Sequence, residues 1–263
     1  MVTAFTVAYV SNGYIYYALT YLEKWPAFKC TKVSEKECDI DYYREHMDEP
    51  NLIRIDADSV YTLDNWVGRL DLFSKSTFQI GLIGSVYLLG WALGCLFVPR
   101  MGDVYGRRWP YLISMAISLL VYLVLILSTN INLTTVMFLL LGLTTPAKSN
   151  VCYIYLLEFI PKKWQTAVGT ALLFGDGSTM IFLSLYFRFI SKDWLWFQVF
   201  ALSLTAAAFL VTLFAPESPK YLYSYKRYKE ARKALQVVAR FNRVDASQTR
   251  KYWFDTEHQE MKR

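Results

Sequence analysis

Long apolar stretches alternate with short polar connections along most of the 263-residue chain. Each stretch holds about 20 mostly apolar residues, which is the length that an α-helix needs to cross the hydrocarbon core of a membrane. The pattern predicts six membrane-spanning helices, at residues 2–22, 78–99, 109–129, 132–158, 166–190 and 194–215.

The first of these spans is the weakest, because Ser11, Asn12 and several tyrosines make it amphipathic. It starts at Met1 without the charged region and the cleavage site that are typical of a signal peptide. We therefore expect residues 1–22 to be retained as a membrane span.

Composition supports this interpretation. Apolar residues make up 54% of the chain and aromatic residues 17%, and the mean hydropathy is +0.22. The chain is thus more apolar than an ordinary soluble domain. These values indicate an integral membrane protein with several spans.

Charge is distributed unevenly between the predicted connections. The long segment between the first two spans is acidic, whereas other connections and the C-terminal tail are basic. Because Lys and Arg accumulate on the inner side of a membrane, both termini are predicted inside, in the cytosol or a matrix. The net charge of +6 then reflects topology and contact with lipid headgroups, and nucleic acid is not an expected partner. The basic residues that set this orientation include Arg100, Arg107, Arg108, Lys162, Lys163, Lys220, Lys226, Arg227 and Lys229.

The cysteines and histidines of the sequence offer little chemistry. Cys30 and Cys38 share the predicted outer segment and form a local disulfide if that compartment is oxidising, which the sequence leaves open. His46 lies in the predicted outer segment and His258 in the tail, and the sequence shows neither metal-ligand spacing nor a nucleophile–base pair around them. We expect no enzymatic activity, no catalytic residue, no metal and no cofactor.

Glycines recur in the second span, within GLIGSVYLLGWALG at residues 81–94. This stretch lacks the strand–turn–helix context of a nucleotide-binding motif. Gly90 and Gly94 instead predict a face on which another helix packs closely.

Three motifs stand at predicted inner turns. GDVYGRRWP (102–110) separates the second and third spans, EFIPKKWQTAVG (158–169) follows the fourth, and PESPKYLYSYKRYKEARKALQVVARFN (216–242) follows the sixth. In this order they resemble the inner motifs of the major facilitator superfamily. Together with the large outer segment, they resemble the organic cation, anion and carnitine transporter family.

The resemblance implies an all-α membrane protein, the N-terminal six-helix half of a major facilitator fold with a large outer loop between helices 1 and 2. Members of the superfamily carry two such halves. The implied partners are therefore a second six-helix half or other membrane subunits. The domains expected are the first span (1–22), the outer loop domain (23–77), the bundle of spans two to six (78–215) and an inner amphipathic helical linker and tail (216–263).

The same resemblance implies a conformational latch at the inner ends of the helices. Asp103 is expected to accept hydrogen bonds from free backbone amides at a helix start, and the two arginines to bind acidic groups or lipid phosphates. A plain role in setting topology is the alternative. The latch residues are Asp103, Gly106, Arg107, Arg108, Glu158 and Glu217.

Four positions depart from the pattern of the family. Pro99 stands where the family has a glycine, Val104 replaces a basic residue, and Phe138 and Gln165 replace arginines. Because usual charge partners are missing, we expect the latch to be weakened.

Lys148 and Asp176 are charged residues inside predicted spans. Each lies about 14 residues from the turn at Lys162, which places both roughly 20 Å along their helices at about 1.5 Å per residue. Charges at this depth need a partner or a water-filled cavity. The sequence predicts either an intramembrane ion pair between the two or a substrate or ion site.

Two functions are consistent with these features. The first is a membrane transporter of small organic ions, represented by its N-terminal half. The second is a transport-inactive, transporter-derived structural subunit of a larger membrane complex, for example in the mitochondrial inner membrane. The expected location is the plasma membrane or an organellar inner membrane, with membrane lipid as a partner and a small organic ion as a further partner if the chain is active.

Overall fold

The computed structural model describes residues 2–11, 13–31, 38–46, 49 and 51–241. The first predicted span is divided into two helices, α1 (Val2–Ser11) and α2 (Tyr14–Leu22). Gly13 lies between them and is buried. The elements that follow α2 are short: β1 (Phe28–Cys30), α3 (Ile40–Glu45), β2 (Ile53–Ile55), α4 (Trp66–Arg69) and a 3₁₀ turn (Leu72–Ser74).

Within the described ranges, five helices are long and apolar enough to cross a membrane. This confirms the all-α architecture expected for half of a major facilitator fold, although the first span is a pair of shorter helices. The five are α5 (Thr77–Tyr105), α6 (Arg108–Leu127), α7 (Ile131–Pro146) continuing through a π turn (Ala147–Val151) into α8 (Cys152–Glu158), α9 (Lys162–Leu185) with a π turn (Tyr186–Ile190), and α10 (Trp194–Thr212).

Helix α5 runs to Tyr105, past the predicted end of its span at residue 99. Pro99 lies inside it and donates no backbone hydrogen bond, which membrane helices tolerate when neighbouring groups satisfy the freed carbonyl. The capping box of Ser76 and Gln79 fixes its other end. The start of the 102–110 motif is therefore the last turn of a helix.

Helices α5 and α7 pack closely through glycines. A β-carbon at Gly142 would overlap the carbonyl oxygen of Tyr87, and one at Gly94 would lie 2.7 Å from the carbonyl oxygen of Leu143. A β-carbon at Gly90 would overlap the carbonyl oxygen of Leu139. Gly90 and Gly94 thus form the close packing face that the sequence predicts.

The 23–76 segment, between α2 and α5, is attached to one end of the helix bundle, which we call the segment end. Arg69 donates to the carbonyl oxygens of Ser128 (3.2 Å) and Ile126 (3.0 Å) at the end of α6. The amide of Asp64 donates to the carbonyl of Lys192 at 3.0 Å, just before α10. Within the segment, β1 and β2 pair antiparallel, and Cys30 is joined to Cys38 by a disulfide.

The chain beyond α10 forms α11 (Pro219–Ser224) and α12 (Tyr228–Phe241). The hydroxyl of Ser218 accepts from the amide of Tyr221, and Pro219 occupies the first turn of α11. Helix α12 is amphipathic, and it buries Ala231 and Ala234 against α11. Residues 242–263 of the predicted tail lie outside the described residues.

Candidate functional site

The six predicted latch residues come together at the end of the bundle opposite the 23–76 segment, which we call the latch end. Gly106 separates α5 from α6 with a φ angle of +98°, in the region that disfavours residues with a side chain. A β-carbon here would overlap Oε2 of Glu217. Glycine therefore allows the Glu217 carboxylate to approach the backbone.

Glu217, and not Asp103, caps the start of α6. Its Oε1 accepts hydrogen bonds from the amides of Arg107 (3.0 Å) and Arg108 (3.2 Å), and also from the amide of Ser218 (2.9 Å). A carboxylate at a helix N-terminus is stabilised by the free amides and by the helix dipole. The prediction that Asp103 fills this role is wrong, because Asp103 belongs to the last turn of α5.

Asp103 instead forms an ion pair with Nη1 of Arg107, four residues later. The Nε of the same arginine lies 3.8 Å from Oε1 of Glu158 at the end of α8. The Glu158 side chain is only 9% exposed, and its Oε2 is buried without a hydrogen-bond partner in the described ranges. Arg107 thus links the ends of α5, α6 and α8.

Three further contacts join this cluster to the segment that follows α10. Arg108 donates through Nη2 to the carbonyl of Leu213 at 2.9 Å. Tyr221 donates to the carbonyl of Val104 at 2.8 Å, and Tyr225 to that of Asp103 at 3.1 Å. Neither tyrosine is among the residues predicted from the sequence, because no sequence pattern marks a hydroxyl group that reaches a carbonyl of another helix.

Two of the residues that depart from the family pattern have structural roles. Gln165 donates through Nε2 to the carbonyls of Leu157 (2.8 Å) and Ile160 (3.2 Å), and so provides hydrogen bonds for free carbonyl groups at the end of α8. Phe138 is fully buried and packs edge-on against Trp66 at 5.7 Å. An arginine at residue 138 would place its charge inside this apolar core.

The predicted direct ion pair between Lys148 and Asp176 is wrong. Among the ion pairs of the described residues, which extend to 4.0 Å, none joins these two side chains. Oδ2 of Asp176 instead accepts from the hydroxyl of Tyr17 at 2.9 Å. Equal depth in the membrane does not by itself bring two side chains together.

Asp176 lies beside the interruption between α1 and α2. A β-carbon at Gly13 would lie 3.1 Å from its Oδ1, so the α1–α2 connection runs next to the carboxylate. Tyrosine rings continue from this point: Tyr17 contacts Tyr16 at 5.6 Å between centroids, and Tyr16 stacks on Tyr87 at 4.4 Å. A half-buried carboxylate therefore stands at one end of a row of aromatic rings.

Lys148 lies in the π turn that follows Pro146, and its side chain is 2% exposed. Its ammonium forms neither an ion pair nor a hydrogen bond with another residue of the described ranges. π turns inside membrane helices occur frequently at functional sites. A buried cation without a partner at such a turn is a candidate for contact with an ion or a substrate.

No group of three or more His, Cys, Asp or Glu residues in the described part of the chain is placed to hold a metal ion. His46 stacks on Tyr42 at 4.3 Å, and its Nδ1 lies 3.0 Å from the carbonyl of the same residue. His258 lies outside the described residues.

Comparison with known proteins identifies the family to which this chain is similar. The family described as "Sugar (and other) transporter" matches residues 2–263. Solute carrier family 22 member 4 of Mus musculus is 28% identical over 190 residues, which are 70% of this chain and 33% of that protein. The organic cation/carnitine transporter 2 of Rattus norvegicus is 25% identical over 193 residues, or 71% of this chain and 34% of that protein.

A third relative gives the same result. The organic cation transporter-like protein of Drosophila melanogaster is 26% identical over 221 residues, which are 80% of this chain and 38% of that protein. The matched stretches thus span about a third of the length of these curated relatives.

Proposed function

Because the chain belongs to the sugar (and other) transporter family of the major facilitator superfamily, as an integral multi-pass membrane protein, we propose that it serves in the transport of small organic cations. The organic cation and carnitine transporters among its relatives support this substrate class. The observation that carries the proposal is the site around Asp176.

Asp176 has the chemistry to bind an organic cation. Its carboxylate lies in a membrane span, has no cationic partner within 4.0 Å among the described residues, and accepts one hydrogen bond, from Tyr17. The rings of Tyr16 and Tyr17, whose centroids lie 5.6 Å apart, add π faces, which attract ammonium groups. A carboxylate beside aromatic rings favours a weakly hydrated cation, such as an ammonium group that carries organic substituents.

The latch residues give the transporter its conformational control in this proposal. Arg107 links Asp103 and Glu158, while Glu217 caps α6. Breaking these contacts in one conformer and restoring them in the other would set the balance between the inward-open and outward-open states. With both termini inside, as the basic connections favour, the latch end faces the inner compartment.

A second six-helix half would cover the apolar sides of α5 and α9. These helices expose large side chains to their surroundings, including Leu88, Leu89, Leu96, Phe97, Phe174, Ile181 and Phe182. Lipid covers whatever part of these sides the second half leaves open.

A transport-inactive structural subunit is the alternative function. The observation that favours it is the use of Gln165 and Phe138 in helix capping and core packing, at positions where the family has arginines. In this alternative, unrelated membrane subunits or ordered lipid cover α5 and α9.

Uptake into cells that express the full protein distinguishes the two functions. The quaternary ammonium tetraethylammonium, the organic anion benzoate and glucose serve as labelled probes, with untransfected cells as the control. Saturable uptake of the cation above that of the other two supports the transporter. No uptake of any probe, together with fixed-stoichiometry copurification of other membrane subunits, supports the structural subunit.

A further inference from the structure

A small pocket lies at the segment end, where the 23–76 segment meets the end of α2 and the π turn after α9. Its volume is about 160 Å³. Two cationic side chains line it, those of Lys24 and Arg188, together with the polar side chains of Tyr21, Tyr61 and Ser184. No acidic residue is among the lining residues in the described ranges. We call it the rim pocket.

Neither cation of the rim pocket is neutralised by the chain around it. The ammonium of Lys24 lies 5.0 Å from the ring centroid of Tyr61, and in the described ranges neither Lys24 nor Arg188 forms an ion pair or a side-chain hydrogen bond. Other lysines at this end do have partners. Lys29 pairs with Asp56 at 2.9 Å, and Lys192 donates to the carbonyl of Ser59 at 2.8 Å.

The walls of the rim pocket are held in place independently of a ligand. Asn65 is buried and donates through Nδ2 to the carbonyls of both Tyr21 and Lys24 at 2.8 Å. Tyr21 and Ser184 share a hydrogen bond of 2.7 Å, and Tyr21 stacks on Phe187 at 4.9 Å. Binding therefore requires little ordering of the backbone, which favours affinity.

We propose that the rim pocket binds an oxyanion, a carboxylate or phosphate group, between Lys24 and Arg188. Guanidinium and ammonium groups form charge-assisted hydrogen bonds with such oxygens, and the guanidinium fork matches them in two-point contacts. The volume admits one headgroup-sized moiety and not a whole lipid or peptide. The oxyanion is the phosphate of a membrane lipid or a free solute, and this site is independent of the proposed transport of cations through Asp176.

The test measures thermal unfolding of the full chain, purified in a neutral detergent, through its tryptophan fluorescence. The probes are inorganic phosphate, acetate and phosphatidylglycerol, each compared with chloride at equal ionic strength. The variants are the double change Lys24→Gln with Arg188→Gln, and the charge-preserving Arg188→Lys. Lys163→Gln is the matched control, because Lys163 also lies over an aromatic ring, that of Trp164, at 5.9 Å, but beside the start of α9 at the other end of that helix.

We expect at least one probe to raise the unfolding midpoint of the natural protein, with an apparent Kd that rises at least about tenfold in the double variant. Arg188→Lys and Lys163→Gln should keep most of the shift. An effect of phosphatidylglycerol alone identifies a lipid headgroup, and an effect of phosphate or acetate identifies a free oxyanion. If no probe shifts the natural protein, or if the double variant responds equally, the proposal is overturned. Should the double variant not fold, Lys24→Gln alone must weaken binding for the proposal to stand.

Discussion

Gly106 and Glu217 approach each other so closely that a β-carbon on residue 106 would overlap the Glu217 carboxylate. The two residues are far apart in sequence, yet their contact sets the geometry of the latch end. Glu217 reaches the amides of Arg107 and Arg108 only because residue 106 has no side chain. The segment after α10 thereby fixes the start of α6.

Replacing Gly106 by alanine should destabilise the protein by about 2 kcal/mol, because the positive φ angle and the overlap with Glu217 both oppose a side chain. The unfolding midpoint in detergent is the measurement. Gly81→Ala is the matched control, since a β-carbon there meets no atom within 4 Å. An equal midpoint for the two variants would contradict this role of Gly106 at the latch end.

The glycine crossing between α5 and α7 should be equally sensitive. A β-carbon at Gly142 overlaps the backbone of Tyr87, so Gly142→Ala must push the helices apart and lose packing along their length. We expect a loss of about 2 kcal/mol or more, seen as a lower unfolding midpoint. Gly177→Ala, in open space on α9, should change the midpoint little. If Gly142→Ala leaves the unfolding midpoint unchanged, the two helices are not in close contact.

The long spans could be predicted from the sequence because each depends on the apolarity of its own residues. The members of the latch cluster could be predicted too, since a resemblance in motif identifies residues directly. Their contacts could not: Asp103 and Glu217 are both acidic, and only the three-dimensional path of the chain after α10 decides which of them reaches the start of α6.

The direct ion pair between Lys148 and Asp176 is absent from the described part of the chain for a related reason. Counting residues from a turn gives the depth of a side chain along its helix. It does not give the rotation of that helix about its axis. Asp176 turns toward Tyr17, while Lys148 lies in a π turn whose altered register the apolar pattern does not reveal.

Because these two charges do not contact each other, their substitutions should act independently. Lys148→Met and Asp176→Asn are expected to shift the unfolding midpoint by amounts that add in the double variant, with a coupling below about 0.5 kcal/mol. Tyr17→Phe combined with Asp176→Asn provides the comparison, since that pair shares a hydrogen bond and should not be additive. A coupling free energy between Lys148 and Asp176 well above this limit would show that the two charges form an ion pair, and would contradict the prediction.

Glu23, just beyond α2, should make stability depend on pH. Its Oε1 is buried without a hydrogen-bond partner in the described ranges, and burial raises the pKa of the carboxyl from 4.5 to about 7. The folded state therefore holds this proton more tightly than the unfolded state, so the stabilisation is complete below pH 4.5 and is lost as the pH rises through about 7.

The ionisation of Glu23 should lower the unfolding midpoint between pH 5 and pH 8. Glu23→Gln should remove this contribution to the fall. Glu45→Gln, which changes an exposed carboxyl group, should keep the fall seen in the natural protein. If the natural protein and Glu23→Gln show the same pH profile, the Glu23 carboxyl does not carry the effect.

The most direct test of the central claim, that Asp176 binds the transported cation, is the initial rate of labelled tetraethylammonium uptake into cells, corrected for the amount of protein at the surface. We predict saturable uptake by the natural protein and by Asp58→Asn, a control at an exposed residue of the 23–76 segment. Asp176→Asn should lower the rate at least about tenfold, the effect of losing about 1.4 kcal/mol of binding free energy. Asp176→Glu should retain part of the uptake rate of the natural protein. Equal uptake by the natural protein and Asp176→Asn would contradict the claim.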